Sequence, residues 1–93
     1  MAVDLDPVIH APLRLQICAR LAAAETIDFA TIRERLDVSE SVLSKHVKVL
    51  EDAGYVTVRK LTSDGRQRTW LALNAAGRKA FATHAAALRA LVG

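Results

Sequence analysis

One cysteine, Cys18, stands in a chain of 93 residues. It excludes an internal disulfide and a thiol-rich metal cluster, and it fits a reducing, cytoplasmic setting. Apolar runs are short and broken by Arg14, Arg20 and Arg89, so none reaches the ~20 residues that a membrane span needs. The opening residues MAVDLDP are acidic and lack an apolar stretch, so no secretory signal is expected. A phosphate-binding glycine loop, a carboxylate dyad and a nucleophile beside a base are also missing, so nothing indicates an enzyme or a cofactor. No repeat, linker or low-complexity segment divides the chain, and residues 1–93 read as one small domain.

What is present is an apolar share of 52%, too high for a disordered chain, and a charge that is unevenly placed. The net charge is +3. Residues 59–68 hold four cations (Arg59, Lys60, Arg66, Arg68) against one anion, Asp64, and so carry that whole excess. The other residues, with nine cations and nine anions, are neutral. A localised cationic segment points to a polyanionic partner.

The periodicity predicts mainly α structure with a small β-hairpin, in the order α-α-α-β-wing-β-α. Asp6-Pro7 opens a short turn, and Pro12 starts a helix over about 12–24, striped by Leu13, Ile17 and Leu21 with Leu15, Cys18 and Ala22 alongside. Thr26-Ile27 is an extended link, with a third strand beside the hairpin as one option. Asp28 caps a second helix that buries Phe29, Ile32 and Leu36 and leaves Arg33, Glu34 and Arg35 wet. Asp37-Val38 turns the chain, Ser39 caps a third helix with Glu40 at its positive end, and Gly54 stops it. The period then becomes two: Val56 and Val58 alternate with Thr57 and Arg59, Asp64-Gly65 suits a hairpin tip, and Thr69, Leu71 and Leu73 alternate on the return. Asn74 caps a last helix over about 75–91.

A helix-turn-helix over about 28–53 followed by a basic hairpin over about 55–73 is an arrangement that holds duplex DNA, with one helix in the major groove and the hairpin on the adjoining backbone. On a wheel of the third helix, Leu43, Val47 and Leu50 cluster inward. Ser41, Ser44, Lys45, Lys48 and Asp52 face outward, and Ser39 lies at the start. Small hydroxyls and two lysines make a surface narrow enough for a groove roughly 12 Å wide. Val42 flanks this face, and two readings stand: contact with a thymine methyl, or peripheral core. Carboxylates sit at both ends of the helix (Glu40, Glu51, Asp52) and none lies between, which keeps negative charge away from phosphates.

The segment VSESVLSKHVKVLEDAGYV resembles the recognition helix of the ArsR family, with Ser44-Lys45-His46-Val47 and the Leu50-to-Gly54 ending at the matching places. DGRQRTWLALNAAGR is similar to the wing of the MarR family, and HAPLRLQICARL completes the pattern of compact winged-helix regulators over about residues 6–91. The resemblance implies a winged helix-turn-helix that regulates transcription. In it Arg66 would reach the minor groove or its phosphates, oriented by Asp64, while Arg59 and Arg68 hold backbone. Lys60 adds to the cationic wing. Ser44, Lys45 and Lys48 would face the major groove, and His46 would tether the helix through a partly buried hydrogen bond. Metal-sensing relatives carry paired cysteines before the turn, or His and acid clusters in the last helix. Here DFATIRERL has no cysteine, and His10, Cys18 and His84 lack ligand-like spacing, so no metal site is expected.

The last helix, AAGRKAFATHAAALRALVG, is apolar beyond what one small core requires. Phe81, His84, Ala85, Leu88 and Leu91 form one stripe, and the resemblance implies that this stripe joins two copies. A two-fold pair would set the recognition helices ~34 Å apart, one DNA turn, on a palindromic site. The leading expectation is a dimeric repressor on double-stranded DNA, with no membrane role and an unknown inducer. The alternative is a protein-interaction winged helix, favoured by an exposed-side Trp70.

Overall fold

The computed structural model describes residues 5–93. The chain runs α1 (Pro12–Ala22), β1 (Ile27–Asp28), α2 (Phe29–Leu36), α3 (Glu40–Asp52), β2 (Val56–Ser63), β3 (Arg66–Leu73) and α4 (Ala75–Val92). Helix α1 begins with proline at its first position, where the missing N–H costs nothing, and buries Ile17, Cys18 and Leu21. It stops at Ala22, two residues short of the expected end, and Leu13 and Leu15 are only half-buried.

The extended link does form a strand. β1 pairs antiparallel with β3 through Ile27 opposite Leu71 and Asp28 opposite Trp70, which gives a three-stranded sheet in the order β1-β3-β2. Asp28 stands at the start of α2 but caps no backbone N–H. Its carboxylate instead accepts from the Thr31 hydroxyl. Helix α2 closes with Asp37 in the left-handed region (φ 52°), where Val38 N–H bonds Arg33 O at 3.3 Å and Asp37 N–H bonds Glu34 O at 3.2 Å. An aspartate tolerates this conformation better than most residues, so the turn needs no glycine.

Ser39 caps α3 as expected, its hydroxyl accepting from Val42 N–H at 3.2 Å. The far end closes on Gly54 (φ 81°), with Tyr55 N–H on Leu50 O and Gly54 N–H on Glu51 O. At the hairpin tip Asp64 (φ 52°) and Gly65 (φ 75°) are both left-handed, the two-residue turn whose twist matches that of the flanking strands. Asn74 caps α4, accepting from Gly77 N–H at 2.8 Å.

The core gathers one face of every element: Ile9 from the turn before α1, then Ile17, Leu21, Ile32, Leu43, Leu50, Val56, Leu71 and Leu73. Full burial of each such side chain stabilises the fold by about 1.5–3 kcal/mol. Helix α3 is thus pinned by Leu43, Val47 and Leu50, which leaves its opposite face to solvent.

Candidate nucleic-acid interface

The outward face of α3 is as the wheel predicts. Ser41, Ser44, Lys45 and Lys48 are exposed, and Val42 is 39% exposed. The core reading of Val42 therefore fails, because Leu43 beside it takes the buried position. Ser39 is exposed but already spends its hydroxyl on the cap and lies 3.3 Å from the Ser41 hydroxyl. Lys48 pairs with Asp52 one turn on, at 3.4 Å, with both side chains well exposed. Such a pair is weak, worth at most about 0.5 kcal/mol, and leaves the ammonium free to exchange partners.

His46 holds the inner margin of the same helix. Arg14 Nη1 on α1 donates to His46 Nδ1 at 3.1 Å, and Arg14 Nε donates to the Val8 carbonyl. Burial, the Arg14 charge and Lys45 together hold the imidazole below its ordinary pKa, so it stays neutral and keeps accepting. One arginine thus ties the segment before α1 to α3.

The wing is a two-faced ribbon, and the pairing register assigns each side chain to a face. Opposite pairs are Val58–Leu71, Arg59–Trp70, Lys60–Thr69, Leu61–Arg68, Thr62–Gln67 and Ser63–Arg66. Since successive residues alternate, Lys60, Thr69, Thr62 and Gln67 continue the core face of Val58 and Leu71 toward the tip. Arg59, Leu61, Arg66, Arg68 and Trp70 share the other face. Arg59, Lys60, Arg66 and Arg68 are all exposed, while Trp70 is half-buried rather than open. Asp64 and Arg66 line one recess with Trp70, yet the Lys48–Asp52 pair is the only salt bridge among the described residues. The expected Asp64–Arg66 orienting pair is therefore absent from the unbound chain. Asp64 serves the turn through its backbone.

Between the inner wing face and α3 lies a cleft of about 280 Å³. Glu40, Ser44, Lys48 and Glu51 line it from the helix, and Lys60 and Thr69 from the wing. The sequence pattern showed each residue separately, but only the register brings Thr69 and Lys60 to the same side as Lys48.

The last helix departs from expectation at one position. Phe81, Ala85 and Leu88 are half-buried and Leu91 is 55% exposed, but His84 is 1% exposed. Its Nδ1 accepts from Asp6 N–H at 3.0 Å, and its Nε2 lies 3.3 Å from His10 Nδ1. His84 therefore belongs to the interior of its own chain, and the expectation that it lines an assembly face is corrected. Asp6 also accepts from Tyr55 Oη at 2.6 Å. Burial pushes the Asp6 carboxyl up, but the hydrogen bonds from Tyr55 and from the Val8 and Ile9 backbone outweigh it and hold it low. Cys18 is buried, and its thiol is pushed up to about 11 by desolvation and the Asp6 charge, which makes it unreactive. Among the described residues no group of three or more His, Cys, Asp or Glu is placed to hold a metal, and no helix is long and apolar enough to cross a membrane.

An exposed Ser/Lys helix held by an apolar back, beside a cationic two-stranded ribbon, is geometry made for a duplex. The sequence profile described as "Winged helix DNA-binding domain" matches residues 13–92, nearly every element described above. The chain belongs to the winged helix DNA-binding domain family. This family is built to hold DNA, not to catalyse a reaction. An uncharacterized protein of Methanocaldococcus jannaschii is 31% identical over 74 residues, spanning 80% of each chain. Among solved structures, a transcriptional regulator homologue from Pyrococcus horikoshii matches with a TM-score of 0.87 and 28% identity, over 91% of this chain and 84% of that one. HlyU from Vibrio cholerae shares the fold at a TM-score of 0.67 and 22% identity, over 81% of this winged helix and 77% of its own.

Proposed function

We propose that this winged helix is a sequence-specific transcriptional regulator of the ArsR/MarR-like kind, acting in the cytoplasm as a dimeric repressor that occludes a promoter. One observation carries the reading: the exposed face of α3 is Ser/Lys-rich from Ser41 to Lys48, and the only net positive charge of the chain stands beside it on the wing. The helix supplies base contacts through Ser41, Val42, Ser44 and Lys45. The wing supplies phosphate contacts, with Arg66 at the tip reaching the minor groove. Likeness to the Pyrococcus horikoshii protein, described as a transcriptional regulator homologue, supports the regulatory role. The half-buried stripe Phe81, Ala85 and Leu88, ending on exposed Leu91 and Val92, supports assembly through α4.

Selection of bound fragments from random duplex DNA tests the reading. A single enriched motif with two-fold symmetry is expected. Recovery of no motif, with no measurable duplex binding, would favour a protein-interaction module centred on Trp70 and Leu61, which is 47% exposed.

A further inference from the structure

Residues 6–10 make a single turn, closed by His10 N–H on Asp6 O at 2.8 Å, and Ile9 within it is fully enclosed by the core. Two histidines on different helices hold this turn, and both do so as acceptors. On α4, His84 Nδ1 accepts from Asp6 N–H while Nε2 faces His10 Nδ1. On α3, His46 Nδ1 accepts from Arg14 Nη1, and the same guanidinium donates through Nε to the Val8 carbonyl. The Asp6 carboxylate is engaged by Val8 and Ile9 N–H and by the Tyr55 hydroxyl. A run of hydrogen bonds through Asp6, Val8 and Arg14 thus leads from the middle of α4 to α3. Beside the turn lies a cavity of about 690 Å³, walled in part by Asp6, Val8, Tyr55 and His84. Lys79 and Thr83 on the same wall are exposed, so water and its protons reach the turn from this side.

We infer that this turn is an acid-released clasp on α3: a proton taken up at His84 frees residues 6–10, Arg14 loses its carbonyl anchor, and His46 loses its fixed donor. Weaker duplex binding in acid is the consequence, which rests on the DNA-binding reading above. With its Nε2–H on His10, the His84 ring can take a second proton only at Nδ1, where Asp6 N–H already points, and two donors then face each other. A proton added at His10 Nδ1 meets the His84 Nε2–H in the same way. Around His84 stand His10 and Asp6 from the turn, Tyr55 before β2, Cys18 on α1 and Lys79 on its own helix. Burial and His10 disfavour the charged ring and outweigh the pull of Asp6. Asp6 stays ionised near neutrality, while Tyr55 and Cys18 stay neutral, so none of these three is the trigger. Around His46 the charges are those of Arg14 and Lys45, both cationic, and they favour the neutral ring there too. A freed imidazole titrates near its ordinary 6.5 and a clasped one lower, so the clasp is complete above about pH 6.5 and weakens as pH falls below it.

Hydrogen exchange of the full chain at about pH 7.5 and pH 5.5, corrected for the intrinsic rate, reads the clasp without DNA. Exchange of residues 6–10 should rise several-fold in acid while the middle of α1 and of α3 keeps its protection. His84→Gln, which can still accept from Asp6 N–H but cannot titrate, should abolish the rise. His10→Gln, at an exposed position, removes the charge that opposes a proton on His84 and should make the rise smaller. Fluorescence anisotropy against a labelled duplex that the chain enriches from a random pool reads the link to α3. Parent affinity should fall by about five-fold or more over the same pH range, an ordinary coupling between two sites, and stay level in His84→Gln. Arg14→Lys keeps the charge but cannot bridge Val8 and His46 together. It should retain the acid rise in exchange, bind more weakly at about pH 7.5 and show no further fall. Exchange at 6–10 that ignores acid, rises equally in His84→Gln, or rises only with loss of protection throughout the chain would overturn the clasp. A local rise with level parent affinity would overturn its link to α3. Absence of binding to any duplex at either pH, with exchange as expected, would instead overturn the DNA-binding reading and leave the clasp standing.

Discussion

The backbone N–H of Asp6 donates to Nδ1 of His84 at 3.0 Å, joining positions 78 residues apart in the chain. An imidazole that accepts at Nδ1 must carry its proton on Nε2, and this proton is then donated to His10 Nδ1, 3.3 Å away. The bond at Nδ1 requires His84 to be neutral, because a protonated ring has no free acceptor there. Tyr55 Oη bonds the same aspartate, so the turn before α1, the residue before β2 and the middle of α4 meet at one partly buried polar knot.

Acid should therefore loosen this knot. Burial and the neighbouring His10 hold the His84 pKa below its ordinary 6.5, against the smaller opposing pull of Asp6. His46 is shifted in the same direction. The unfolded chain then binds more protons than the folded one below the ordinary value, so stability is fully present above about pH 6.5 and falls as pH drops toward the folded-state value. Thermal melts between pH 7 and pH 5 should show this decline, with a flatter profile in His84→Gln, which keeps an acceptor but cannot titrate. A parent slope unchanged in His84→Gln would remove His84 as its source.

Gly77 sits where α4 comes against the chain before β2. A Cβ there would stand 2.1 Å from the Tyr55 carbonyl oxygen and 2.9 Å from Leu73 Cδ2. Helix propensity alone would favour Gly77→Ala by about 1 kcal/mol. The clash is with backbone and must win, so the variant should be less stable than the parent by about 1–3 kcal/mol in denaturant unfolding. A stabilised variant would show that the helix can shift outward at no cost.

At the wing tip the two charged residues should separate cleanly. Arg66→Ala should leave the melting temperature nearly unchanged, since surface substitutions stay within about 0.5 kcal/mol, and should weaken duplex binding across all sequences. Asp64→Ala should lower stability by about 1 kcal/mol, because alanine adopts a left-handed backbone less readily than aspartate. Asp64→Asn should keep stability and, lacking any ion pair with Arg66 to break, should tighten binding. Weaker binding by Asp64→Asn would restore an orienting role for the carboxylate in the complex.

If α4 joins two copies, a charge on its half-buried to exposed stripe should separate them. Leu88→Glu and Leu91→Glu should shift sedimentation toward the monomer and weaken binding to a two-fold site more than to a half-site. His84→Gln should affect stability and leave the monomer–dimer balance alone, because His84 is enclosed by its own chain.

Local chemistry made most of the fold legible. Ser39, Gly54, Asn74 and Asp64-Gly65 each mark a boundary by a preference that acts within four residues, and each stands where it was expected. The apolar periods of α3 and β3 marked the core in the same way, while that of α1 marked it only at Ile17, Cys18 and Leu21. What the sequence could not disclose depends on pairs far apart. His84 reads as one more member of an apolar stripe until Asp6 and His10 are seen against it. Lys60 and Arg59 read as equal cations until the register with Thr69 and Trp70 separates their faces. Arg14 reads as an interruption of a helix stripe, yet it tethers His46 across 32 positions.

The central claim is that the Ser/Lys face of α3 reads bases. It is tested most directly by measuring Lys45→Ala against the enriched duplex and a scrambled duplex of equal length at one salt concentration. The account predicts a loss of about 1–3 kcal/mol on the enriched duplex and little change on the scrambled one, so that specificity itself declines. Equal losses on both would contradict it and place Lys45 on the backbone.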